Sequence, residues 1–88
     1  MNTAFLLMAQ FGARAAVPLS EVQQAYFPHL AERKLLEKIN KGEIALPVIR
    51  AERSVKTARS VHIQDLADYI DARRAEAMKE CSQLCGLK

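Results

Sequence analysis

The chain has little of what enzymes and exported proteins need. In 88 residues there are two cysteines, three glycines, three prolines and few aromatic side chains. No nucleophile comes with a paired base, and no glycine-rich stretch could cradle a phosphate. No carboxylate pair fits a catalytic pocket. Asp65, Asp68 and Asp71 recur every three residues, but helix-dipole complementarity and pairing with Arg74 explain them. An enzyme is therefore not expected, and neither is a cofactor. The opening "MNTAFLLMAQFG" has no basic stretch before its apolar run and no small-residue cleavage site, and it is too short to span a bilayer. A cytoplasmic protein with no membrane partner is expected. Cys81 and Cys85, four apart on a helix, share a face where a disulfide is not easily closed, and they read as reduced thiols. Together with His29 and His62 they match no compact zinc spacing, so no metal site is expected. There is no internal repeat, no low-complexity segment and no interleaving of basic and aromatic residues. Tyr26, Phe27 and Tyr69 are accordingly read as core rather than as base-stacking groups.

What is present is charge, unevenly distributed. The net charge of +3 says little as a total. Between His29 and Arg59, however, eight basic residues face four acidic ones, whereas the rest of the chain is slightly acidic. A positive field confined to one middle segment is expected of a surface that meets a polyanion, although a solvated face would look the same. At this length one small core is the limit, so a single domain is expected over residues 1–88, with a partner subunit as added support.

The element order follows from periodicity and punctuation. Asn2 or Thr3 caps a first helix within residues 1–12, which Gly12 ends; it is apolar nearly all round and needs cover on more than one side. "AAVPL" is extended because Pro18 biases the residue before it. Ser20 is then expected to cap a helix that puts Val22, Tyr26 and Ala25 on one face and stops at Pro28. The stretch 31–41 has a narrow Leu35, Leu36, Ile39 stripe and ends at Gly42; with the preceding helix it has the spacing of a helix-turn-helix over 20–42. A β-hairpin over 44–63 follows, its first strand in "EIALPVIR", an edge strand or one beginning at Pro47, and its second in "SVHI". The last helix, 64–84, carries an apolar stripe only in its first half and must project or pack on a partner beyond it.

Helix, helix, hairpin and helix, with charge on the second helix of the motif and on the hairpin tip, describe a mainly α fold with a small β-hairpin wing, a winged helix-turn-helix. In that architecture the second helix of the motif enters the major groove and the wing reaches the backbone beside it. The groove-facing candidates are Arg33, Lys34, Glu37 and Lys38, with Lys41 explained equally by the helix dipole. The wing candidates are Arg50, Arg53, Lys56 and Arg59, with Arg50 open to an ion pair at the strand end instead. Ser54 and Thr57 are candidates for phosphate contact or for local backbone bonds. His29 and His62 read first as structural. Phe5, Leu6, Met8, Ile70, Ala77 and Met78 are candidates for a dimer interface.

The order of "MNTAFLLMAQFG", "VPLSEVQQAYFPHL", "GEIALPVIR" and "RSVKTARSVHIQDLADYIDARRAEA" resembles the pyocin activator protein (PrtN) family of bacterial transcription activators, from Met1 to about Cys81. The resemblance implies a sequence-specific DNA-binding activator of phage-tail-like bacteriocin genes. Its partners would be double-stranded promoter DNA, a second copy of the chain and RNA polymerase. Ala31 stands where that family tends to carry a capping Thr, and Val55 where it tends to carry Gln in the wing. The fold pattern is also similar to excisionase-like and AlpA-type proteins. An architectural DNA-binding role and a prophage-derived protein-interaction module are the alternatives.

Overall fold

The computed structural model describes residues 2–50 and 58–86. Arg53, Ser54, Lys56 and Thr57 of the expected wing, and Val55 with them, lie outside the described residues.

The first helix, α1 (Thr3–Phe11), starts at Asn2, whose side-chain oxygen accepts the Ala4 N–H at 2.7 Å. It ends at Gly12, where φ of 88° lies in a region that side chains disfavour. Only Leu7 is fully buried on it, with Ala4 and Phe11 packed at the edge of the core. After it comes β1 (Ala16–Pro18), and then α2 (Leu19–Tyr26), which begins directly after Pro18. Ser20 therefore does not cap this helix: Pro18 occupies the cap position with no side-chain bond, and Ser20 falls within the first turn. Leu19 and Val22 are buried and Tyr26 half-buried, but Ala25, expected on the same face, is exposed.

Two short helices need a defined turn between them. Here the Gln23 amide donates to the carbonyl oxygens of Leu30 (2.7 Å) and Phe27 (3.3 Å), stitching the turn to α2. The next helix, α3 (Glu32–Asn40), starts from an extended Ala31 that offers no side-chain cap. Leu35 is wholly buried, and Leu36 and Ile39 are half-buried, which gives the expected half-in, half-out helix. Its end is a Schellman motif. The Glu43 N–H donates to Lys38 O (2.9 Å) and the Gly42 N–H to Ile39 O (3.1 Å), with Gly42 at φ 79°.

The sheet differs from a simple hairpin. β2 is only Ile49–Arg50 and β3 is Arg59–His62, and β3 is central: the order is β1-β3-β2, antiparallel throughout. Val17 pairs with Val61 and Ile49 with Ser60. The expected strand over 44–48 does not form. Instead the Leu46 N–H folds back onto Ile44 O at 2.9 Å, and Ile44 and Leu46 enter the core while Ala45 and Pro47 face outward. Pro47 has no N–H to donate, so pairing begins only at Ile49, on an edge strand. The third strand was hidden in "AAVPL", read as extended but without a partner.

α4 (Ile63–Leu84) begins at His62, whose Nδ1 accepts the Gln64 N–H at 3.0 Å, so this histidine is a helix cap. Ile63, Leu66 and Ala67 are buried, and Tyr69 and Ile70 pack against the core. From Asp71 onward the helix is exposed apart from the half-buried Ser82. α1 lies along its first half, where the Thr3 hydroxyl donates to Asp71 at 2.6 Å. This replaces the expected pairing of Asp71 with Arg74, which is absent among the described residues. A 22-residue helix is about 33 Å long at 1.5 Å per residue. Its distal half therefore extends past the globule, and the molecule measures 50 × 29 × 20 Å.

Candidate nucleic-acid interface

α3 presents most of its charge on one side, Glu32 alone falling on the side of the apolar stripe. At 3.6 residues per turn, Arg33, Glu37, Lys41, Lys34 and Lys38 fall within an arc of about 140°, and Leu35, Ile39 and Leu36 occupy the other side. All five charged residues reach solvent, Lys38 the least. Lys34 lies 3.5 Å from Glu37, and Lys38 lies 3.6 Å from Glu43. Exposed pairs of this kind are worth at most ~1 kcal/mol, so either lysine can leave its carboxylate for a phosphate at small cost.

The sheet brings more cations to the same side. Arg50 and Arg59 are register partners on β2 and β3, so their side chains leave the same face of the sheet. Arg59 and Arg33 line one shallow groove, together with Leu19, Glu32 and Leu36. Arg50 lines a neighbouring groove with Ile39, Asn40 and, again, Leu36. Leu36 is thus the shared apolar floor between two concavities, with an arginine from α3, one from β2 and one from β3 around it. Among the described residues no carboxylate pairs with Arg50.

Several residues that shape this surface had no role in the sequence reading. Asn40 lines the Arg50 groove, and its amide offers both a donor and an acceptor. Its spacing of seven from Arg33, two helical turns, was the available signal. Arg14 donates twice to Glu21 (2.8 and 3.1 Å) and once to Phe11 O (2.9 Å), bracing the end of α1 against the first turn of α2. These hydrogen bonds from Arg14 hold the Glu21 carboxyl below its ordinary range and raise the guanidinium in turn. Gln23 plays the corresponding part in the turn before α3. Neither bond is visible in periodicity, because each joins residues seven apart across a bend.

The dimer candidates separate into groups. Phe5, Leu6 and Met8 stand out from α1, with Phe5 66 % exposed, and Met78 is 54 % exposed on distal α4. Ala77 is exposed beside it, whereas Ile70 is half-buried against the core. His29 is exposed in the turn after α2, and its ring lies 6.4 Å from that of Phe27. Among the described residues no three histidine, cysteine or acidic side chains gather as metal ligands. None of the described helices is long and apolar enough to cross a membrane.

A protein-family model described as Pyocin activator protein PrtN matches residues 3–77. No curated protein and no solved structure matches the chain.

Proposed function

The chain belongs to the pyocin activator family, and from that premise we propose that it is a sequence-specific DNA-binding activator of pyocin genes. The family is a regulatory one, not a family of enzymes. In this reading residues 1–88 form one winged helix-turn-helix. Helix 31–41 lies in the major groove, whose width of about 12 Å accommodates one α-helix. The wing, residues 50–59, follows the backbone beside it.

The observation that carries the reading is the convergence of Arg33, Arg50 and Arg59 around Leu36, beside the charged arc of α3. Pairing of β2 with β3 sets Arg50 and Arg59, 17 and 26 positions from Arg33, on grooves that share Leu36 with it. Arginine suits both tasks such a surface performs, bidentate bonding to a guanine edge and neutralisation of phosphates. The exposed apolar residues of α1, with Met78, leave room for a second copy. Two-fold pairing would present two reading helices about 34 Å apart, one turn of B-DNA. RNA polymerase is the further partner that activation requires.

Fluorescence anisotropy with pyocin-promoter fragments and a shuffled control, across a salt series, tests this. Specific binding is expected, with log affinity falling by about 0.9 per neutralised phosphate for each decade of salt. Equal affinity for the shuffled fragment, or no binding, overturns the proposal.

A further inference from the structure

On distal α4, Cys81 and Cys85 are both exposed, one helical turn apart, with their sulfurs 3.9 Å from each other. That separation is nearly twice a disulfide bond, about 2.05 Å. It is close to another distance. Two thiolates bound to one tetrahedral zinc at about 2.3 Å each stand about 3.8 Å apart. Positions i and i+4 on a helix are also the spacing by which two side chains chelate one metal ion. The pair is therefore arranged as half of a tetrahedral thiolate site.

One chain does not supply the other half. Structural zinc takes four protein ligands, and among the described residues no third His, Cys, Asp or Glu joins these two. A second copy would carry the same two thiols on an equally exposed helix, and two-fold pairing of the helices would complete the set. Met78, three residues before Cys81 and 54 % exposed, lies on the same side of the helix and offers apolar packing alongside. Both cysteines fall beyond the residues that the family model matches, 3–77. We propose that the Cys81 and Cys85 thiols of two copies bind one zinc ion in a four-thiolate site that joins the distal halves of two α4 helices. Four thiols lose four protons and four zinc–sulfur bonds form, with no change of oxidation state. This inference does not rest on DNA binding.

Cobalt(II) is the probe, titrated into the reduced full chain. The expected result is one cobalt per two chains, with thiolate-to-cobalt charge transfer and the intense visible bands of a tetrahedral site. Zinc should displace it, and all four thiols should become unreactive to an alkylating agent. Cys81→Ser and Cys85→Ser should each abolish the bands while leaving the helical circular dichroism intact, since both side chains are exposed. One cobalt per chain, no tetrahedral thiolate spectrum, or bands that persist in both serine variants would overturn the proposal.

Discussion

α1 and α3 are each nine residues long, and each buries one leucine fully, Leu7 and Leu35. Everything else about their outward faces is opposite. α1 leaves Phe5, Leu6 and Met8 in solvent; α3 shows Arg33, Lys34, Glu37 and Lys41. Apolar content thus did not decide how deeply either helix sits. Each helix has one main neighbour, α4 for α1 and α2 for α3. The outward faces are the informative part, one suited to an apolar partner and the other to a polyanion.

The contrast breaks most visibly at the buried positions. Leu35→Ala should lower unfolding free energy by about 2–5 kcal/mol in a denaturant titration, because a wholly buried side chain leaves a cavity. Leu6→Ala on the exposed side of α1 should stay within about 0.5 kcal/mol. A Leu6 effect as large as that of Leu35 would mean that a second copy already covers α1, and the loss should then grow on dilution.

At the next level the two faces should separate by function. Arg33→Ala should cost about 1–3 kcal/mol of discrimination at one base pair, measured as affinity for promoter variants, and leave stability unchanged. Phe5→Ser should leave promoter discrimination intact and weaken self-association by sedimentation. If Arg33→Ala merely lowers affinity for every sequence equally, Arg33 is a phosphate contact and the reading surface lies elsewhere on α3.

The helix starts differ too. Asn2 caps α1 but nothing caps α3, although Ala31 has the extended backbone that a cap needs. Ala31→Ser should raise stability by about 0.5–1 kcal/mol, and Asn2→Ala should lower it by a similar amount. Equal melting temperatures for wild type and Ala31→Ser would show that α3 is ordered by packing alone.

The smallest expected effect is on pH. Glu21 has its carboxyl lowered by Arg14, so the bond contributes above the ordinary carboxylate range and is lost as pH falls through the lowered value. Both groups are exposed, which keeps the contribution modest. Glu21→Gln should flatten the acid limb of a stability–pH curve slightly and leave the neutral region nearly unchanged.

The helices were legible because their cues are local. Gly12, Gly42, Pro28 and the stripes of Leu35 and Leu66 lie within a turn or two of the ends and faces that they specify. The sheet was read only in part. β-branched residues at 44–49 suggested a strand, but Ile44 and Leu46 went into the core by a backbone fold that uses up the Leu46 N–H. "AAVPL" looked extended, yet its partner is β3, 44 residues from Val17 to Val61. No periodicity encodes such a pairing. The candidate site was legible as a charged helix face, and Arg33 through Lys41 could be named from spacing. That Arg50 and Arg59 stand opposite each other and that Leu36 lies between their grooves could not be named, whereas Asn40, two turns from Arg33, could have been.

By itself the sequence determined the helical segments, the amphipathic division of α3 and the confinement of positive charge to the middle of the chain, since each follows from residues near one another along the backbone. Only the tertiary structure decided which apolar residues stay exposed, which strand is central and which arginines converge. Those outcomes depend on contacts between distant segments, made where burying apolar surface and pairing backbone groups outweigh the entropy of closing long loops.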